Sequence, residues 1–194
     1  MKRSAPVGPA LHAFAPLQIH DNIGVCGVRT DTRLLAEVTA NAPKPGRALD
    51  MGTGTGYIGL YLAQRGWQVD AVDVSPRAVE LARANAQRNE LTLNIYQSNL
   101  FEQTSGYYDV IAFNPPMRPD ETELSRIVTS LLRRSPTISR LLMQLVGERF
   151  ETGRTEFLTQ VVKEARQRLR PDGRLVLGIS DDEAQEIARI PQVT

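Results

Sequence analysis

Ala48-Leu49-Asp50-Met51-Gly52-Thr53-Gly54-Thr55-Gly56 is a short apolar run that breaks into three alternating glycines, and its reading decides the fold. Glycines at that point let the backbone turn tightly and approach a ligand, and a following helix offers N–H groups at its start. Downstream, Tyr57–Arg65 carries helical spacing and stops at Gly66, while Gln68–Val74 alternates as a second strand. Ser75-Pro76 supplies the cap and first-turn proline of a helix over Arg77–Asn89. Leu93–Gln97 and Tyr108–Phe113 read as the third and fourth strands. A helix over Glu156–Leu169, the turn Pro171-Asp172-Gly173, a fifth strand over Gly173–Ile179 and a helix over Asp182–Ile190 follow. Strands separated by helices of this length make βαβ units. The expected fold is α/β: a doubly wound, Rossmann-like, mostly parallel sheet of order 3-2-1-4-5, with the final strand pair missing.

Upstream, Pro6, Pro9 and Pro16 make residues 1–15 an arm, and residues 16–194 form the domain. Leu17–Ile19 and Ile23–Val28 flank the turn-forming Asp21-Asn22, which predicts an N-terminal hairpin. Asp31-Thr32 then supplies N-cap chemistry for a helix over Arg33–Ala42, ending before Pro43 and Pro45. After the fourth strand, residues 118–153 are too long for an ordinary connection of about 2–6 residues. Leu124, Ile127, Val128, Leu131 and Leu132, then Ile138, Leu141, Leu142 and Leu145, follow helical spacing on either side of Pro136. This predicts a helical insert whose apolar positions need the domain body or a second subunit, so a homodimer through it is one expectation.

Of 194 residues, 23 are Lys or Arg and 22 Asp or Glu, which excludes a nucleic-acid tail driven by bulk charge. The single cysteine, Cys26, excludes a disulfide framework. No apolar run approaches the ~20 residues of a membrane span, and the basic start has no apolar core behind it. These features predict a cytoplasmic protein without a membrane partner.

Two carboxylates refine the glycine loop. Asp50, at its entry, suits a ligand carrying an ammonium or sulfonium and opposes a pyrophosphate. Asp73, ending the second strand, can hold both ribose hydroxyls of an adenosine. No Gly-Lys-Ser/Thr follows, so a lysine-bearing phosphate loop is excluded. Gly54-Thr55-Gly56-Tyr57-Ile58-Gly59 does match the dinucleotide spacing, which keeps a nicotinamide-dependent oxidoreductase open. At the end of the fourth strand, Asn114-Pro115-Pro116-Met117 makes a rigid corner. Proline removes N–H donors, so the Asn114 side-chain oxygen and the Pro115 carbonyl are left as outward acceptors. Two such acceptors can hold both hydrogens of a planar NH₂ group and aim its nitrogen at a methyl donor.

Together, these motifs resemble the class I S-adenosylmethionine-dependent methyltransferases. The Asn-Pro-Pro corner and Arg29-Thr30-Asp31-Thr32 are similar to the small methyltransferase domain of the release-factor glutamine methyltransferase branch. The resemblance spans roughly Ile19 to Ile179, with Met117 standing where an aromatic residue is usual. It implies S-adenosyl-L-methionine as cofactor, with Asp50, Gly52, Thr53, Gly54, Gly56 and Tyr57 at the methionine end. It further implies Asp73 and Val74 at the ribose, Asn99 and Leu100 beside the adenine, and Asn114 reaching donor and acceptor alike. The implied reaction is methyl transfer to an amino or amide nitrogen, with Asn114, Pro115 and Pro116 catalytic. The acceptor is a protein glutamine, a nucleobase or a small molecule, nucleic acid not being favoured. Arg29, Asp31, Thr32, Met117, Arg133 and Arg134 are the candidate substrate contacts. A non-catalytic S-adenosylmethionine-binding module is the third reading.

Arg126, Arg133, Arg134 and Arg140 fall in a stretch without acidic residues, either a solvated face or a contact for substrate phosphate or carboxylate. His12 and His20 read as ordinary arm and turn residues and Cys26 as a small apolar packer. No metal-ligand spacing occurs in the chain, and methyl transfer from a sulfonium needs no metal.

Overall fold

The structure, a computed structural model, describes residues 14–22, 25–42, 44–115 and 154–189. In chain order these form α1 (Thr30–Ala40), β1 (Arg47–Met51), α2 (Tyr57–Ala63), β2 (Gln68–Asp73), α3 (Pro76–Arg88), β3 (Asn94–Gln97) and β4 (Tyr108–Phe113). Helical residues 154–168, here α4, precede β5 (Leu169–Leu177) and α5 (Asp181–Ala188). The strands make one parallel sheet in the order β3-β2-β1-β4-β5, as the sequence predicts.

Each central strand buries both faces, so its side chains alternate between two cores. Ala48, Val69, Ala71, Val110 and Ala112 face the helices α1, α2 and α3 through Leu35, Ile58, Leu60, Val79 and Ala82. Leu49, Met51, Val72, Ile111 and Phe113 face the other way, against Val161 and Ala165 of α4. Small residues on the first face let the helices sit close. Larger ones fill the second.

The predicted hairpin does not form among the described residues between 14 and 29, which hold no strand. The segment 17–20 pairs instead with two asparagine side chains one turn apart, Asn85 within α3 and Asn89 at its C-cap. Asn89 exchanges hydrogen bonds with both backbone groups of Gln18, and Asn85 does the same for His20. A helix-borne carboxamide offers the same donor and acceptor as a strand, which satisfies the backbone without a β-partner.

Helix α1 starts three residues earlier than predicted, with Arg29 at the cap position. The Asp31 and Thr32 side chains act inside its first turn rather than ahead of it. The Thr32 N–H donates to Asp31 Oδ1 at 2.9 Å, and the Arg29 N–H donates to Thr32 Oγ1 at 3.4 Å. The predicted turn at Pro171-Asp172-Gly173 lies within β5, where the register jumps from Tyr108↔Leu169 to Val110↔Arg174 and the extra residues bulge out. Pro116, Met117, Arg133, Arg134 and the insert 118–153 lie outside the described residues, as does most of the arm 1–15.

Candidate active site

Strand register assembles the site. Met51 pairs with both Val72 and Phe113, and Asp73 pairs with Gln97. The residues that leave these strands, Gly52, Asp73 and Asn114, therefore emerge along one carboxyl edge, and Asn99 follows two residues after Gln97. This edge, where β1 and β4 diverge to opposite sides, is the switch point at which doubly wound sheets bind ligands.

The glycine loop follows three positive-φ turns at Gly52 (65°), Gly54 (53°) and Gly56 (86°). A side chain at Gly56 would lie 3.1 Å from Ala82 Cβ, so this glycine also lets the loop press on α3. Three loop N–H groups are consumed within the protein. Thr53 donates to the Val72 carbonyl (2.9 Å), Gly54 to Asp73 Oδ2 (3.0 Å) and Gly56 to the Thr53 carbonyl (2.8 Å). Asp50 Oδ2 takes the Thr53 hydroxyl (2.6 Å) and the Gly59 N–H (2.8 Å) in the first turn of α2. A carboxylate already takes the Gly59 N–H at that helix start, and its charge disfavours a pyrophosphate there.

Asp50 is fully buried, and its Oδ1 has no hydrogen-bond partner among the described residues. Burial pushes its carboxyl up from 3.8 to about 6, the Thr53 and Gly59 bonds pull it back, and the Asp73 charge adds to the rise. A buried acceptor with an unused oxygen fits a cationic ligand group. Asp73 is held by two N–H donors, Gly54 on Oδ2 and Ser75 on Oδ1 (2.9 Å), and keeps a second lone pair on each oxygen. Ser75 stands at the N-cap of α3 with Pro76 at its first position, as predicted, but the Ser75 side chain makes no capping bond and its N–H donates to Asp73.

Beyond Asp73, Val74 is 62% exposed, an apolar surface at the edge. Asn99 donates from Nδ2 to Glu102 (2.8 Å), and Leu100 adopts a left-handed φ of 47°, unusual for a branched side chain. Tyr57 sits at the loop's end, but its ring faces Arg33, 5.8 Å away, and Tyr61. Thr53 spends its hydroxyl on Asp50. At the corner, Asn114 Nδ2 reaches Thr32 Oγ1 at 3.5 Å, and a Cβ at Gly178 would stand 2.5 Å from Asn114 Oδ1. Thr32 therefore joins the site, while Arg29 and Asp31 face each other 3.9 Å apart on the surface. Among the described residues no group of three His, Cys, Asp or Glu is arranged to hold a metal.

Residues 21–142 match the family model of the methyltransferase small domain. The chain belongs to this family. Among its relatives, the release factor glutamine methyltransferase of Streptococcus pneumoniae is 40% identical over 102 residues, half of this chain and 37% of that protein. The tRNA1(Val) (adenine(37)-N6)-methyltransferase of Aliivibrio fischeri is 34% identical over 158 residues, 77% of this chain and 67% of that protein. The ribosomal protein L11 methylase of Lactobacillus delbrueckii subsp. bulgaricus shares the fold, with a TM-score of 0.59 at 19% identity over 91% of this chain and 77% of that one. The chain spans about a third of the length of the first relatives it matches.

Within this methyltransferase family domain, three residues around the edge carry little signal in the sequence. Gly178 follows β5 with nothing to mark it. Asn85 in α3 and Asn89 at its C-cap stand at i, i+4 spacing, which reads as an ordinary polar stripe until the N-terminal segment is placed against them.

Proposed function

We propose that the domain transfers a methyl group from S-adenosyl-L-methionine to the nitrogen of a planar amide or amino group. The observation that carries this reading is the shared carboxyl edge: the Asp50–Gly56 loop and Asp73 emerge beside the Asn114-Pro115 corner because Met51 pairs with Val72 on one side and Phe113 on the other. Asp50 Oδ1 would take the cationic methionine end, Asp73 the ribose hydroxyls with Val74 beside them, and Asn99 and Leu100 the adenine. When bound, the cofactor supplies a methyl group on a sulfonium, already activated toward a nucleophile.

The protein's own work is placement. Asn114 Oδ1 and the Pro115 carbonyl would accept the two N–H groups of the acceptor and point its lone pair along the loop. As the methyl group passes from sulfonium to nitrogen, these two oxygens would stabilise the positive charge on that nitrogen until one of its protons is lost to solvent. Thr32 Oγ1 lies 3.5 Å from the Asn114 amide nitrogen and Gly178 lies beside its oxygen, so these two residues bracket the carboxamide. Both a glutamine side chain and the adenine N6 group present the planar NH₂ that this corner suits, and the relatives are named for such acceptors. The consumed loop N–H groups and the buried Asp50 disfavour a nicotinamide dinucleotide.

The test is incubation with methyl-labelled cofactor and separate protein and RNA fractions, in wild type and Asn114→Ala. Label should enter one fraction at nitrogen, with turnover cut by ~10² or more in the variant and cofactor affinity kept within about threefold, the scale of a lost orienting group. Cofactor that binds without any transfer would favour a binding module instead.

A further inference from the structure

Asn85 is completely buried on α3, and its carboxamide makes three hydrogen bonds to two separate stretches of chain. Oδ1 accepts from the His20 N–H (2.9 Å), while Nδ2 donates to the His20 carbonyl (3.0 Å) and to the Thr55 carbonyl (2.9 Å). Two carbonyls and one N–H permit only this orientation of the amide. Thr55 lies between Gly54 and Gly56, two residues in the left-handed region, at the most tightly turned point of the loop. Glycine flanks widen that peptide's conformational choice, and it is held at both ends, its Gly56 N–H by the Thr53 carbonyl (2.8 Å) and its carbonyl by Asn85 Nδ2.

Asn89, one turn on at the C-cap of the same helix, supplies a comparison. It grips Gln18 through the same pair of bonds, at 2.8 and 2.9 Å, but its third bond goes to the Asn85 carbonyl at 2.7 Å and none reaches the loop. Both asparagines grip the N-terminal segment, but Asn85 is buried within the helix and reaches the loop, whereas Asn89 is half-buried at the helix end and does not.

We infer that Asn85 is a positioning residue for the glycine loop, setting the Thr55 peptide and through it the geometry that receives the cofactor. This rests on the reading of the loop as a cofactor site, and the experiment separates the two. Amide hydrogen exchange at Gly54 and Gly56 is measured without ligand in wild type, Asn85→Asp and Asn89→Asp, and S-adenosylmethionine affinity is then measured by calorimetry on the same proteins. Asp in place of Asn85 keeps the shape but turns both donated bonds into contacts between acceptors. Asn85→Ala serves if that variant does not fold.

The Asn85 variant should exchange about tenfold faster at Gly54 and Gly56 and bind cofactor at least tenfold more weakly. The Asn89 variant should exchange faster only at Gln18, with both loop readouts within about twofold of wild type. Loop exchange that is unchanged in the Asn85 variants, or equally raised by both substitutions, overturns the positioning role. If the loop amides respond but wild type binds no S-adenosylmethionine, the role stands and the cofactor reading fails.

Discussion

Asp50 concentrates the site's electrostatics in one side chain. Its carboxyl rises from 3.8 to about 6 in the folded protein, so the fold favours the protonated form. The stability linked to that proton is fully present below 3.8 and is lost as pH rises through about 6, a difference of about 3 kcal/mol. The proton belongs on Oδ1, since Oδ2 already accepts from Thr53 and Gly59. Ligand-free Asp50→Asn should therefore be more stable than wild type at pH 8 and should lack the part of the pH 5–7 change in Tm that Asp50 causes. Cofactor affinity in wild type should fall as pH drops through about 6, because a cationic ligand needs the carboxylate. Thermal melts across that range, with and without cofactor, check both signs; a parallel pH profile in the variant would remove Asp50 from the account. Gly178 gives a second residue-scale test. A methyl there meets the movable Asn114 carboxamide oxygen rather than backbone, so Gly178→Ala should turn Asn114 aside at little cost in stability. Turnover should drop about tenfold or more with Tm nearly unchanged; full activity would mean that Asn114 does not need its present orientation.

At the scale of elements, α3 does more than cover the sheet. It backs the glycine loop at Gly56 and pairs with the N-terminal segment through Asn85 and Asn89. Gly56→Ala forces a left-handed alanine against Ala82 and should cost about 1–2 kcal/mol or more, a Tm lower by roughly 2–8 °C, with weaker cofactor binding. Unchanged stability would contradict the packing described. These contacts also show why some elements were legible in the sequence and others were not. Strands β1 to β4 and the helices between them are defined by local signals: glycine breaks, Ser75-Pro76 and two-residue alternation. The segment 17–20 is held by side chains 65 or more residues away, so the local turn signal at Asp21-Asn22 suggested a hairpin that tertiary contacts replaced. The same holds at the corner, where Asn114 was readable from its prolines but its neighbours Thr32 and Gly178 come from α1 and the end of β5.

Across the whole molecule, stability and function occupy opposite ends of the parallel strands. At the amino ends, buried Asp70 takes the Tyr108 hydroxyl (2.7 Å), Asn94 Nδ2 (2.9 Å) and the Arg47 guanidinium (2.6 Å), whose carbon stands 4.5 Å from the Tyr108 ring centre. The network ties β1, β2, β3 and β4 together where no ligand is expected. Tyr108→Phe leaves Asp70 short of one donor and should lower stability by about 1–3 kcal/mol while leaving cofactor affinity unchanged. A change in affinity would mean that the two ends are coupled through the sheet. At the carboxyl ends, the central claim is that the loop and Asp73 hold S-adenosylmethionine. Calorimetric titration of wild type and Asp73→Asn with S-adenosylmethionine, and of wild type with NAD, tests it most directly. The account predicts one saturable site for S-adenosylmethionine, no binding of NAD, and affinity reduced about tenfold in the variant as a charge-assisted bond to the ribose is lost. Equal affinity in the variant, or binding of NAD in place of S-adenosylmethionine, would contradict it.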